Sequence, residues 1–434
     1  LKKLLTEKKL LTLVILIILA LTLAYLAGLA GVPFHPDEST QLYMSSDFDT
    51  LFSRPADLFW SAAREQDARQ KYRELDAPLA RYLIGVGRTI AGLPALPVDW
   101  DWSKSWEANQ IAGALPDARL LLVSRLSVAL LFPFSLFFIF KSGRAIGGSP
   151  MGWAALLLLA SNALVLLHTR RAMAEGGLIF TITLFLWMLT RPVKPAWLIA
   201  VAAALVFCSK QSAGVLVLIG LVFVLWKDVQ QKHTGQKLII NLALYGLVFV
   251  AVTVLLNPFL WSNPVQASLA ALRARQELLH NQVAALGSVR PDQVLESFPQ
   301  RLLGLVVQLF INQPAVGDIG NYIVQTQSAE VAYFSSPFNQ FLRGFIGGGV
   351  LLILSISGFI LAAARAIKSA GPSQMLTLLF LLSTLLIFIT LIWFLPIPWQ
   401  RYYLPLVPFT CIWTAYFLSM AISLIPRVKP NIAA

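Results

Sequence analysis

Leu10-Leu11-Thr12-Leu13-Val14-Ile15-Leu16-Ile17-Ile18-Leu19-Ala20-Leu21-Thr22-Leu23-Ala24-Tyr25-Leu26-Ala27-Gly28-Leu29-Ala30-Gly31 runs directly into Val32-Pro33-Phe34-His35-Pro36-Asp37-Glu38. The first part is an apolar run of roughly 20 residues, enough to cross a bilayer as a helix. Two adjacent carboxylates follow, and these are costly at a membrane edge unless water, a cation or a substrate receives them. A span ending on a pair of acids suggests a bundle of membrane helices that return to one point, with Asp37 and Glu38 at the reaction centre. The basic start (Lys2, Lys3, Lys8, Lys9) gives the run the outline of a signal peptide. No small-residue cleavage site stands out before His35, so it is expected to stay as a signal anchor.

Composition agrees with this reading. The 434 residues are 57% hydrophobic and 13% charged, with a mean hydropathy of +0.71, which indicates a polytopic membrane protein. The net charge of +13 is spread between apolar runs rather than gathered in a patch, so membrane topology accounts for it and nucleic acid does not. Cys208 and Cys411 both lie inside apolar runs and indicate neither a disulfide framework nor a thiolate metal site.

Besides the first run, spans are expected at about 119–140, 150–167, 172–190, 196–208, 211–226, 238–256, 341–363, 374–395 and 402–425, about ten in all. The stretch 195–226 is too long for one span and breaks at Ser209-Lys210-Gln211-Ser212. With the N-terminus inside, every inner segment is basic: Lys141 and Arg144; Arg191 and Lys194; Lys227, Lys232 and Lys237; Arg365 and Lys368; Arg427 and Lys429. The expected arrangement is a single all-α domain over 1–434 in the plasma (inner) membrane, with both termini cytoplasmic. Two long extracytoplasmic loops, 32–118 and 257–340, carry interfacial helices. One such helix is expected after Asp76-Ala77-Pro78, another around 267–283, and 317–339 shows no periodic pattern.

This topology places Asp37, Glu38, Arg170, Arg171, Lys210 and Arg401 on the outer face. Basic residues in short outer junctions run against the positive-inside rule, and binding an anionic group is the simplest reason for them. Sugar transfer from a lipid-linked phosphate needs a carboxylate to take the proton of the attacking group and cations to hold the departing phosphate. Each feature also has a plainer reading. The acids could be a solvated helix end, Arg170 and Arg171 headgroup anchors, Lys210 a snorkelling lysine, and Arg401 with Tyr402 and Tyr403 part of an aromatic belt. Isolated His35 and His280 give little support for a metal. Trp100, Trp102 and Trp106 mark an interface more readily than a sugar platform.

In order along the chain, the Asp37-Glu38 pair, Asp76-Ala77-Pro78-Leu79-Ala80-Arg81, Thr169-Arg170-Arg171-Ala172-Met173-Ala174-Glu175, Ser209-Lys210 and Arg401-Tyr402-Tyr403-Leu404-Pro405-Leu406-Val407-Pro408 form a set. The set resembles the GT-C superfamily of integral membrane glycosyltransferases, in the branch of protein O-mannosyltransferases and bacterial aminoarabinose transferases. The likeness spans 33–408. Asp76 stands where that family often has His, Ala77 replaces Pro, and Glu175 replaces Asp.

The resemblance implies an inverting transfer on the extracytoplasmic side from a polyprenyl- or dolichyl-monophosphate sugar to a protein, lipid or glycan acceptor. In it, Asp37 matches the general base or acceptor-orienting carboxylate, and Glu38 supports it or holds a cation. The resemblance leaves a divalent metal open: protein mannosyltransferases are described without an essential one, while some relatives hold one near this pair, for which Glu38, His35 and His280 are the candidates. Lys210, Arg401 and one of Arg170 or Arg171 are the candidates for the donor phosphate, with Asp76, Tyr402 and Glu175 serving the acceptor or supporting the site. One carboxylate base is enough for inversion, so a glycosidase-type pair of acids is not needed. The competing reading is a transporter or flippase for an anionic lipid, which predicts inverted repeats and paired broken helices; a single broken segment is seen. A third reading is a noncatalytic subunit of an envelope assembly.

Overall fold

A computed structural model describes residues 2–191, 195–317, 320–368 and 371–424, and among these it contains only helices and loops. Lys194, Arg427 and Lys429, used above for topology, lie outside the described residues, as does the last residue of the 402–425 span; the side chains of Lys2 and Lys3 are likewise not described.

The first helix, α1 (Lys2–Ala27), leads to α2 (Pro36–Met44), α3 (Asp47–Ser53), α4 (Ala68–Leu75), α5 (Leu79–Ile90) and α6 (Trp106–Ala112) in the first long loop. The chain then forms α7 (Ala118–Ala129), α8 (Phe132–Ala160), α9 (Ala163–His168), α10 (Ala174–Leu189), α11 (Ala196–Ser209), α12 (Leu216–Gln230) and α13 (Gly235–Leu256). The second long loop contains α14 (Pro264–Val289), α15 (Phe298–Val306) and α16 (Ile323–Phe334). Helices α17 (Gly344–Lys368), α18 (Pro372–Phe394) and α19 (Val407–Leu424) close the bundle.

Among the described residues, seven stretches are long and apolar enough to cross a membrane: Glu7–Ala27, Ala118–Ala160, Gln211–Gln230, Gly235–Leu256, Gly344–Lys368, Ser373–Phe394 and Gln400–Leu424. Their outward faces carry exposed leucines and isoleucines such as Leu16, Ile353 and Ile389, the surface of an integral membrane protein. The expected spans 119–140 and 150–167 meet at Gly147 and Gly148, which leave helical geometry, Gly148 at φ +81°; the rings of Phe140 and Trp153 lie 5.0 Å apart, so the chain doubles back there and the two spans stay separate. The second of them ends early, at Ala160, and Asn162 caps the short α9 by accepting from the Leu164 and Val165 N–H groups.

The expected spans 172–190 and 196–208 correspond to α10, with 16 residues, and α11, with 14. At 1.5 Å per residue each is short of a roughly 30 Å hydrocarbon core. Both are largely buried among other helices, which removes the need to reach both membrane surfaces. The break at Lys210 is present: this residue is extended (φ −166°, ψ 129°) between α11 and a turn of 3₁₀ helix, Gln211–Ala213.

The long loops are more structured than their sequence suggests. Helix α14 covers the expected amphipathic segment and packs on α4. The stretch 317–339, expected to lack a pattern, contains α16, anchored by buried Tyr322 and Tyr333. An unexpected apolar helix starts at a Ser297–Gln300 capping box and ends in a π-turn, Val307–Ile311. Helix α5, expected to lie in the interface, buries its arginines while Ile90 stays exposed. Arg81 donates to Asp47, and Arg88 donates to Asp49, to the Ser45 hydroxyl (2.7 Å) and to the Ser45 carbonyl (2.9 Å). The two loops meet at one end of the bundle, where Trp60 N–H donates to the Phe259 carbonyl (3.1 Å) and the Trp100 indole to Asn321 (3.1 Å).

Candidate active site

The chain leaves α1 through 28–35 and starts α2 with a reciprocal cap: His35 Nδ1 accepts from the Asp37 N–H, and Glu38 Oε2 accepts from the His35 N–H (3.1 Å). Pro36 fits the first helical turn, where its missing N–H is not needed. This turn sends the two acids in different directions.

Glu38 points inward and is fully buried. Arg125 of α7 grips it through two hydrogen bonds of 2.8 and 2.7 Å, and the Ala172 N–H donates to it at 2.9 Å. The same guanidinium donates to the Leu29 and Val32 carbonyls at 2.9 and 2.8 Å, so the Arg125–Glu38 pair ties together the end of α1, α2, α7 and, through Glu38, the turn before α10. Burial alone would raise the pKa of Glu38, but Arg125, with help from Arg171 and the Ala172 N–H, outweighs it and holds the carboxyl below its usual range.

Asp37 points outward and is about a third exposed, in an ion pair with Arg401. Arg401 also lies over the rings of Trp399 (5.7 Å) and Tyr402 (5.5 Å). On the same Tyr402 ring sits Lys210 Nζ (5.2 Å), which pairs with Glu175 Oε1 at 2.5 Å. Asp37, Arg401, Tyr402, Lys210 and Glu175 therefore form one continuous chain of charge and π contacts. Three features of the sequence converge to build it: the extended backbone at Lys210, the first turn of α10 carrying Glu175, and the 3₁₀ turn Gln400–Leu406 leading into α19.

Asp76 stands near this chain and accepts from the Gln41 amide (3.2 Å). Burial raises its pKa, Asp37 adds to the rise, and Arg81 opposes it. Asp99 is raised as well, chiefly by burial, and accepts from the Tyr72 hydroxyl; burial and Asp99 push the Tyr72 phenol up in turn.

The other candidates lie elsewhere. Arg170 donates to the Tyr25 carbonyl (2.9 Å) and covers the Tyr25 ring; Arg171 donates to the carbonyls of Pro33 (3.3 and 3.2 Å) and Val316 (2.6 Å). Both are buried and hold backbone, so neither joins the run from Asp37 to Glu175. The proposed metal donors do not fit an ion. The oxygens of Glu38 already accept four N–H groups, the ring of His35 accepts the Asp37 N–H and lies against Tyr322, and His280 is exposed on α14. No group of three or more His, Cys, Asp or Glu side chains among the described residues is arranged to hold a metal. Trp100 is buried and packs on Phe34 and Trp106, so it locks the first loop to the second rather than marking a lipid interface.

Sequence reasoning missed Arg125, Tyr72 and Asp99. Arg125 carried a signal, because a charge inside an otherwise apolar helix calls for a partner. Tyr72 and Asp99 carried none, since only the folding of the loop brings them together.

No family model matches the chain, and no curated protein does either. Among solved structures it is similar to the Archaeoglobus fulgidus oligosaccharyltransferase AglB in complex with an inhibitory peptide and a dolichol-phosphate. That match has 13% identity and a TM-score of 0.48, and covers 94% of this chain and 50% of that one. A second structure of the archaeal enzyme, with Zn and sulfate, matches at 15% identity and a TM-score of 0.43 over 80% of this chain and 41% of that one. ArnT from Cupriavidus metallidurans, bound to undecaprenyl phosphate, matches at 14% identity and a TM-score of 0.38 over 96% and 79%. The chain thus spans about half the length of the archaeal oligosaccharyltransferases it matches.

Proposed function

We propose that the chain is a membrane glycosyltransferase of the GT-C type, moving a sugar from a polyprenyl or dolichyl monophosphate to an extracytoplasmic acceptor. The observation that carries this reading is the run Asp37–Arg401–Tyr402–Lys210–Glu175, in which two cations flank one aromatic ring and each is paired with a carboxylate. Such a site can exchange partners. A donor phosphate takes hydrogen bonds from Lys210 and Arg401, and Arg401 then releases Asp37.

The freed Asp37 carboxylate accepts the proton of the acceptor hydroxyl or amine as that group attacks the anomeric carbon. The new bond forms on one face while the carbon–oxygen bond to phosphate breaks on the other, which inverts the centre. The lipid phosphate leaves with the bonding electron pair, its charge held by the two cations. Asp76, beside Asp37, belongs to the acceptor side. The family resemblance puts mannosyl donors and protein acceptors first among those to try.

The test is release of polyprenyl phosphate by the purified protein from a panel of polyprenyl monophosphate sugars, with cell-envelope extract as acceptor. Asp37→Asn is expected to lower release by about 10²-fold or more, the usual scale of a general base, with donor binding retained. Undiminished release would remove Asp37 as the base. Donor bound and carried across a vesicle membrane without release would favour a transporter.

A further inference from the structure

At the opposite end of α11 and α12 from Lys210, roughly 20 Å away by the length of α12, a cavity of about 300 Å³ opens between the start of α11, the end of α12 and the start of α13. Its lining includes Phe223, Lys227, Asp228, Gln231, His233 and Asn241. The turn after α12 builds its polar side. Lys232 adopts a left-handed conformation (φ +52°), and the His233 N–H closes back on the Asp228 carbonyl at 3.0 Å. His233 Nδ1 and the Asn241 amide both meet Asp228 Oδ1, each at 2.7 Å.

The second oxygen, Asp228 Oδ2, is buried and has no hydrogen-bond partner among the described residues, on a residue only 4% exposed. A buried carboxylate oxygen left without a donor is expensive, and here a cavity adjoins it. Beside the carboxylate, Lys227 supplies a positive charge at the same rim. Trp197 and Ile240, each next in sequence to a lining residue, are exposed apolar side chains.

We propose that this cavity binds a headgroup carrying a primary ammonium beside a phosphate, the chemistry of an ethanolamine phospholipid. The ammonium donates to Asp228, the phosphate lies toward Lys227, and the acyl chains run along the apolar flank at Trp197 and Ile240. A trimethylammonium headgroup has no N–H to donate, so the site discriminates between ethanolamine and choline lipids of equal net charge. The site is separate from the proposed transfer centre and does not depend on it.

Delipidated full-length protein is returned to equimolar ethanolamine and choline phospholipids of matched chains, and retained lipid is counted by native mass spectrometry. A charge-assisted hydrogen bond predicts about tenfold enrichment of the ethanolamine lipid. Asp228→Asn keeps the shape and is expected to abolish the preference while total bound lipid stays constant. Asn241→Ala provides a second variant that leaves the carboxylate in place and is expected to weaken the preference only in part. Competition with free phosphoethanolamine separates the sources: displacement at comparable concentration assigns the site to the soluble headgroup, and no displacement assigns it to the lipid. Equal retention of both lipids by the wild type, or an unchanged preference in Asp228→Asn, overturns the proposal.

Discussion

Removing the guanidinium of Arg125 leaves Glu38 as a fully buried carboxylate that keeps the His35 and Ala172 N–H donors and the weaker influence of Arg171 but loses its ion-pair partner. Breaking a buried ion pair from one side typically costs about 3–5 kcal/mol, because the remaining charge loses its compensation. Arg125→Met is therefore expected to lower the thermal midpoint in detergent sharply. Glu38→Gln combined with Arg125→Met should recover much of the loss, and a double variant no better than the single would show that the uncompensated charge is not the cause.

Asp76 predicts the opposite sign. Its pKa is raised in the fold above the ordinary aspartate value of 3.8. The folded state thus holds the proton more tightly than the unfolded chain does, and ionised Asp76 weakens the fold once the pH exceeds its folded pKa. Asp76→Asn should raise the midpoint at pH 7, with the gain vanishing as the pH falls toward 3.8. A gain that persists at that pH would point to packing rather than charge.

Among single residues, the acids and cations were legible because charges beside apolar runs stand out. Their pairing was not. Arg170 and Arg171 are chemically as suited to a phosphate as Lys210, and only the path of the backbone turns them onto the carbonyls of Tyr25, Pro33 and Val316.

Among elements, the long apolar helices could be read directly from hydropathy, and the break at Lys210 from its interruption. The count was harder, since α10 and α11 are short and buried inside protein, where length no longer reports the membrane. Helix α5 shows the same limit: its short apolar stretch is legible in sequence, but the ion pairs that α3 makes with its arginines through Asp47 and Asp49 are not. How closely the helices approach is also invisible to hydropathy. Gly358 of α17 lies against the backbone of α19, where an added Cβ would overlap the Trp413 carbonyl. Backbones this close need small residues, and this contact has no flexible side chain to move aside. Gly358→Val should therefore push α17 and α19 apart and cost about 1–3 kcal/mol or more, read as a lower midpoint. Gly349→Val on the same helix, where an added Cβ meets nothing within 4 Å, is the control that should leave it nearly unchanged.

At the scale of the whole molecule, the two long loops share one end of the bundle, and the turn between α12 and α13 lies at the other. The first statement rests on contacts such as Trp60 to Phe259 and Trp100 to Asn321, the second on α12, which leads away from the Lys210 break and ends at Gln230, just before Lys232. If α12 crosses the membrane, the proposed transfer centre and the proposed headgroup site are expected to face opposite compartments. Single cysteines can test this in intact cells or oriented vesicles, because the native Cys208 and Cys411 are both buried and give little background. Ser103→Cys in the first loop and Ser335→Cys in the second should be labelled by a membrane-impermeant maleimide added outside intact cells. Lys232→Cys should be labelled only after the membrane is opened. If the two loop positions behave differently from each other, the packing of the loops is wrong. If both are protected until permeabilisation while Lys232→Cys is labelled, the packing stands but the bundle is inverted. The donor for the proposed transfer would then have to be drawn from the cytoplasmic leaflet.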